Sequence, residues 1–383
     1  MLRARRRIMV IGTLLAVVLV AVAVTIYRSS GHGGHTEAGC PVGTGACHSG
    51  TATPGPGEGT GSIPTATATP TPSSTATGAI GKPTSIPSPK PSGSAKPGGT
   101  GGNGGTGGSG DSGSGGSIPT SFPDAGSTGP RIALKAHNTG AMTINTNGTT
   151  ISGWDITGSL DIYANNVTII DSRVTSTNWW GINLRSGFSG LRILHTTITG
   201  VPGKGPDNGG EDYAVSNMGG SSVEVGWSNI SRFGDMLSMG QGNLHDNYMH
   251  DVSAFRNLGG EWQHTNAVIS DGGSTGSLVI RHNTLLNPVG VDQGASGSIG
   301  LFADTGVVSN SVVDGNWIAG GAYALYGGGT GATGIKVTNN VFSTQYHPNS
   351  GVYGVVAAWN AGGAGNVWSN NRMSDGRAVT PTS

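Results

Sequence analysis

From residue 149 onward, apolar and polar positions alternate in a recurring octet: apolar, any, apolar, two polar, Asn or a small polar residue, any, apolar. It begins loosely at Thr149. It then reads Val167 to Val174, Leu191 to Ile198, Val223 to Ile230, Gly242 to Met249, Leu278 to Leu285, Ser311 to Ile318, Ile335 to Phe342 and Asn366 to Met373. Alternation with period two predicts strands rather than helices. A fixed octet separated by variable spacers predicts a solenoid whose loops differ from coil to coil. The sixth octet position is Asn247, Asn283, Asn316, Asn340 and Asn371 in the last five copies, and Ser172, Thr196 and Ser228 before them. Parallel strands about 4.8 Å apart let such side chains bond to one another as a ladder. Short second strands, such as Tyr213-Ala-Val215 and Tyr323-Ala-Leu325, lie between octets. The expected fold is all-β, a right-handed parallel β-helix solenoid of about nine coils. A β-sandwich also has many short strands, but it would not hold one Asn register over five copies.

Composition supports the solenoid. Of 383 residues, 71 are Gly, 10% are charged and 6% are aromatic. A coiled coil would be rich in Ala, Glu, Lys, Leu and Arg, and collagen would place Gly at every third position. The formal net charge is +0, so no nucleic-acid partner is expected, since that needs a basic field. Two Cys exclude a disulfide scaffold.

Three zones follow. Residues 1–28 carry Arg3, Arg5, Arg6 and Arg7, then the uncharged run Ile8 to Tyr27. As a helix, 20 such residues span roughly 30 Å, one hydrocarbon core. The arginines place the N-terminus in the cytoplasm. Either this transmembrane segment is kept as a signal-anchor, or it is a signal peptide cleaved near Ala21-Val22-Ala23. The remainder is extracytoplasmic in the first case and secreted in the second. Residues 29–127 are rich in Gly, Ser, Thr and Pro and read as a disordered linker, a stalk too poor in apolar residues to offset chain entropy. Cys40 and Cys47 lie in it and either bridge or stay unpaired. Residues 128–383 form the β-helix domain, with 12 basic and 16 acidic residues, 12 − 16 = −4.

The segments Phe122-Pro-Asp-Ala, Val167-Thr-Ile-Ile-Asp-Ser, His264-Thr-Asn, Gly300-Leu-Phe-Ala-Asp and Asn366-Val-Trp-Ser-Asn-Asn carry a resemblance. From Phe122 to about Val379 the chain resembles the right-handed parallel β-helix of the pectate-lyase-like superfamily. It resembles most a group of exported bacterial β-helix proteins without an assigned activity. The resemblance implies the fold and a polysaccharide or cell-wall glycan partner. It does not carry a mechanism. The sequence lacks an Arg-x-x-Pro-x-x-Arg-like lyase helix, an Asp cluster for Ca²⁺, and the Asn-Thr-Asp, Asp-Asp and Arg-Ile-Lys set of pectin hydrolases. No cofactor is expected, and no metal is assigned.

One region concentrates candidate chemistry. Counting back from Gly219, Gly240 and Gly272 puts Glu211-Asp212, Gly234-Asp235 and His264-Thr-Asn266 near one register on successive coils. Paired carboxylates separate in pKa and can divide acid and base roles, and His titrates near neutral pH. Asp212, Asp235, His264 and Glu261 are therefore the catalytic candidates. The irregular stretch from His250 to Gln263 is expected to wall the site, adding Arg256 and Trp262. Trp179, Trp180 and Asn266 complete the substrate-binding candidates, the indoles as platforms for sugar rings. Plainer roles compete: Asp212 and Asp235 as turn caps, His264 as a structural residue, the tryptophans as turn packing. Two functions remain open. One is a cell-surface or secreted protein that binds a polysaccharide and cleaves it by lyase or glycoside-hydrolase chemistry. The other is a non-catalytic wall or adhesion module presenting a rigid binding surface. Catalysis requires Asp212, Asp235 and His264 convergent and accessible.

Overall fold

The computed structural model describes residues 117–218 and 220–381. The segment Ile8 to Tyr27, the two cysteines and most of the stalk lie outside the described residues. Among the described residues no helix is long and apolar enough to cross a membrane.

Nearly all regular structure is parallel strand. The first sheet stacks nine: Thr150–Ser152, Thr168–Ile170, Arg192–Leu194, Val223–Gly226, Gly242–His245, Leu278–Arg281, Ser311–Asp314, Lys336–Thr338 and Val367–Ser369. A second ladder stacks Arg173–Ser176, Thr197–Gly200, Asn229–Ser231, Tyr248–His250, Thr284–Asn287, Trp317–Gly320, Val341–Phe342 and Arg372–Met373. A third stacks Trp180–Leu184, Tyr213–Asn217, Asp235–Ser238, Thr265–Ser270, Ala295–Leu301, Tyr323–Gly327 and Gly354–Ala357. Two longer strands, Lys135–Ile144 and Trp154–Ile162, pair with each other, and the second spans the start of both later ladders. Nine octets thus give nine passes from the first ladder to the second, a β-solenoid.

Each octet is one corner. Its fifth residue takes left-handed backbone: Asp171, His195, Trp227, Asp246, His282, Gly315, Asn339 and Asn370 all have φ between 46° and 63°. This turns the chain sharply from the first ladder into the second. The sixth residue then points inside. Each amide from Asn247 to Asn340 donates to the Oδ1 of the next, 2.9–3.0 Å away, along the series Asn247, Asn283, Asn316, Asn340, Asn371. The same Oδ1 atoms accept the backbone N–H of the preceding Asn. The second amide hydrogen goes to a backbone carbonyl, such as Ile280 O for Asn316. From Asn247 to Asn340 every side-chain polar group of the column is used, which makes burial tolerable. In the earlier coils Ser228 Oγ and Ser172 Oγ accept backbone N–H groups in that column.

Between these columns the interior is aliphatic. Ile182, Val215, Leu237, Val268, Ile299 and Leu325 form one buried row of the third ladder. Ile198, Ile230, Met249, Leu285, Ile318 and Phe342 form another across the second.

The folded unit takes in part of the expected stalk. Ile118 and Phe122 pack on Leu286, Trp317 and Val341, outside the main core. Pro123 O accepts from Thr284 Oγ1 at 2.7 Å, Gly129 N–H donates to Trp227 O, and Arg131 pairs with Asp171 at 2.7 Å. Residues 117–131 therefore run as a strap along the solenoid, from the coil of Trp317 back to that of Asp171. Two apolar residues in an otherwise polar segment are what dock it.

Candidate functional site

The third ladder carries the candidate residues. Gly181, Ala214, Met236, Ala267, Ser298 and Ala324 turn inward at its start: a Cβ on Gly181 would lie 2.7 Å from Ile198 and 3.5 Å from the Phe233 ring. The residues one place earlier therefore face outward. They stack in register as Trp180, Tyr213, Asp235, Asn266, Gly297 and Tyr323. Steps of about 4.8 Å make this row roughly 24 Å long.

The row's centre is polar. Asn266 donates its side-chain N–H to Asp235 Oδ1 at 2.7 Å, and Gly297 N–H donates to Asn266 Oδ1 at 3.0 Å. The strand bearing Gly297 has one extra residue here: Thr265 pairs with Ala295 but Asn266 with Gly297, leaving Ser296 as a bulge. Such bulges re-aim side chains beside binding sites. Asp235 is 2% exposed and Asn266 fully buried. Burial pushes the Asp235 carboxyl well above the usual carboxylate range, against the opposing Asn266 bond, and the charges of Asp212 and Asp271 push it further.

The row's ends are aromatic. Trp180 and Tyr213 are in-register neighbours, and the Arg185 guanidinium lies 4.7 Å over the Trp180 ring while bonding Asp161 at 2.9 Å. At the other end Tyr323 meets Tyr326 at 5.6 Å and Tyr353 at 5.9 Å, and Tyr326 meets Phe302 at 4.9 Å. The Phe302 ring lies over Gly300, and the Tyr326 ring beside Gly297, where a Cβ would stand 2.2 Å and 3.2 Å from them. Tyr353 is 63% exposed.

Two loops between the second and third ladders wall one side. The loop 201–210 packs Gly210 under the Phe255 ring, which also covers Gly234. Asp207 Oδ1 accepts the N–H of Leu258 at 2.6 Å and joins this loop to the stretch after His250. That stretch closes as a hairpin. Arg256 pairs with Trp262 across it, stacks its guanidinium 4.6 Å over that indole, and donates to Gly260 O. Glu261 lies exposed near its tip.

The expected constellation is only partly assembled. Asp235 pairs with Tyr213 and Asn266, so Asp212 falls one place and His264 two places upstream of that row. Counting back from Gly219, Gly240 and Gly272 sets them two and three places upstream, one place too far, because the strand Asp235–Ser238 is shorter than Tyr213–Asn217 and Thr265–Ser270. Asp212 is buried at 5% exposure, and its backbone carbonyl accepts from Asp235 N–H at 2.7 Å. His264 is exposed, and no hydrogen bond joins it to Asp235. Trp179 and Trp180 are half-buried, and the Trp179 carbonyl accepts from the N–H groups of Asp212 and Tyr213.

The glycan candidates overlooked Tyr323, Tyr326 and Phe302. Tyr213 and Tyr323 do begin second strands in the sequence, so the signal was there; their shared register was not. Glu211 was also passed over. It is 2% exposed beneath loop 201–210, accepts Val201 N–H at 2.9 Å on one oxygen, and buries the other without a hydrogen-bond partner. Desolvation raises its pKa to about 7. Among the described residues no three His, Cys, Asp or Glu side chains gather into a group able to hold a metal ion.

No family model matches the chain, and neither a curated protein nor a solved structure was found that matches it.

Proposed function

We propose that this chain is an extracytoplasmic right-handed β-helix protein, tethered or released through its N-terminal segment, that binds a polysaccharide along the outer row of its third ladder. The observation that carries this reading is the row itself: Trp180 and Tyr213, then Asp235 and Asn266, then Tyr323, one per coil and in register. Flat rings pack against the C–H faces of sugar rings, while the buried Asp235–Asn266 pair ties the strands between the two aromatic ends. A rigid solenoid repeats these contacts at constant spacing, as an extended polymer requires.

Binding without turnover is the better-supported form. An acid/base pair must reach the same substrate atom region within hydrogen-bond distance. Asp235 lies buried under the row while His264 stands exposed two residues upstream. Calorimetric titration of the purified protein with a panel of soluble polysaccharides, together with a reducing-end assay, tests this. Saturable binding with no new reducing ends is the expected result. Turnover lost in both His264→Ala and Asp235→Asn would restore the catalytic reading, and absence of binding to any polymer would remove the function.

A further inference from the structure

We propose that the strap of residues 117–131 is a pH-gated latch, docked while the His282 imidazole carries a proton on both ring nitrogens and released when one is lost. Three strap contacts fall on left-handed fifth residues of the octets. Arg131 pairs with Asp171, Gly129 N–H donates to Trp227 O, and Ser121 O meets His282 Nε2 at 2.8 Å. Of the three, the contact at His282 involves the side-chain type that changes charge near neutral pH.

His282 is held between two acceptors. Its Nδ1 meets Asp246 Oδ1 at 2.5 Å, and its Nε2 meets the Ser121 carbonyl. A carboxylate and a carbonyl have no proton to give, and a neutral imidazole has one N–H. Neutral His282 therefore satisfies Asp246 or Ser121, and its other nitrogen sets a lone pair against an oxygen. The imidazolium satisfies both. The Phe122 ring stacks on it at 5.9 Å, an arrangement that also favours the cation. Burial opposes the charge, but the bonds to Asp246 and Ser121 O outweigh it and raise the pKa above the ordinary 6.5.

The charged neighbours are engaged elsewhere. Asp246 turns its second oxygen to His245 Nδ1 at 2.9 Å, and His245 Nε2 lies 3.4 Å from Glu224, the partner of Arg192. Arg281, beside His282 in the chain, faces Asp314 at 3.6 Å. In the second ladder Tyr248 stacks on His250, whose Nδ1 meets Asp251. Burial raises the pKa of Tyr248 and takes that of Tyr346 to about 12, so both stay neutral. On the strap, Asp124 accepts from Ser127 and from Gly126 N–H, and the Ser127 bond lowers its pKa. Among the described residues neither His245 nor His250 bonds to the strap.

Docking adds the Ser121 acceptor, so the docked His282 holds its second proton more tightly than the undocked one. The docking advantage is therefore full below 6.5 and is lost as pH rises through the raised value. Release uncovers the apolar patch of Leu286, Trp317 and Val341 on which Ile118 and Phe122 sit.

The test follows thermolysin cleavage at the Ser121–Phe122 bond of the full chain between about pH 5.5 and about pH 8.5. Each rate is divided by that of an unstructured peptide of the same local sequence. Cleavage tracks the open population, so a normalised rate about tenfold higher at the upper pH is expected. His282→Gln keeps one donor and cannot titrate, so its normalised rates at the two pH values should agree within about twofold. Histidine NMR gives the reciprocal reading in a chain that keeps the ring. His282 should titrate above 6.5 in the parent and at lower pH in Phe122→Ala, where the strap is off. A flat parent profile, a rise that persists in His282→Gln, or a His282 titration that Phe122→Ala leaves in place overturns the latch.

Discussion

The side-chain amide of Asn266 donates to the buried carboxyl of Asp235 across 2.7 Å, between in-register residues of successive coils. This pair joins two strands at the place where the next strand bulges at Ser296. Because burial holds Asp235 towards its neutral form, Asp235→Asn replaces one neutral polar side chain with another of the same shape. It should change stability by less than about 1 kcal/mol at neutral pH. Asn266→Ala should cost roughly 1–3 kcal/mol, since it strips a partner from both Asp235 and Gly297 N–H. Urea unfolding of the two variants separates these outcomes. A large loss in Asp235→Asn would show that the carboxyl is ionised in the fold.

The asparagine column is the second case. Asn316 Oδ1 accepts from both the backbone and the side-chain N–H of Asn283, and Asn316 itself donates to Asn340 Oδ1 and Ile280 O. Asn316→Ala leaves those buried partners unpaired, so a cost of roughly 1–3 kcal/mol is expected. The same substitution at Asn371, the last in the column, should cost less, because no further asparagine follows it. Equal losses at both positions would show that the ladder is not cooperative.

The strap gives a proteolytic readout. Phe122 meets Trp317 at 5.5 Å with its ring tilted and stacks at 5.9 Å on His282, whose Nε2 meets Ser121 O at 2.8 Å. With the strap docked, limited proteolysis should leave a resistant core that begins before Ile118. Phe122→Ala removes the contact on Trp317, and the first protected residue should then move beyond Arg131. Unchanged cleavage would mean that the Arg131–Asp171 and Pro123–Thr284 contacts hold the strap without the ring.

The repeat was readable because the octet's alternation and its sixth position are local. Each coil is an independent witness, and Asn283, Asn316 and Asn340 need no knowledge of loops to align. The site was less readable because it depends on register between coils whose strands differ in length. One residue of slip separates Asp212 from Asp235, and two separate His264 from it. The left-handed fifth residue shows the same limit. Asn339 and Asn370 suit that conformation, whereas Trp227 and His195 reach it only because the corner around them is fixed by both flanking ladders.

Glu211 supplies a pH dependence whose sign follows from its burial. Its pKa is about 7 in the fold against an ordinary 4.5, so between these values the folded chain holds a proton that the unfolded chain has lost. Stability must then fall as pH rises from about 4.5 to 7. A shift of that size corresponds to an effect of the order of 3 kcal/mol. Asp271, raised to about 6, adds to the same slope over its own range. Glu211→Gln keeps an acceptor for Val201 N–H and removes the titration. Its unfolding free energy should therefore fall less between pH 5 and pH 7 than that of the parent, and the two curves should diverge most at the upper end. Parallel curves would mean that Glu211 is ionised beneath loop 201–210 throughout, and the loop would then have to admit water to its buried oxygen.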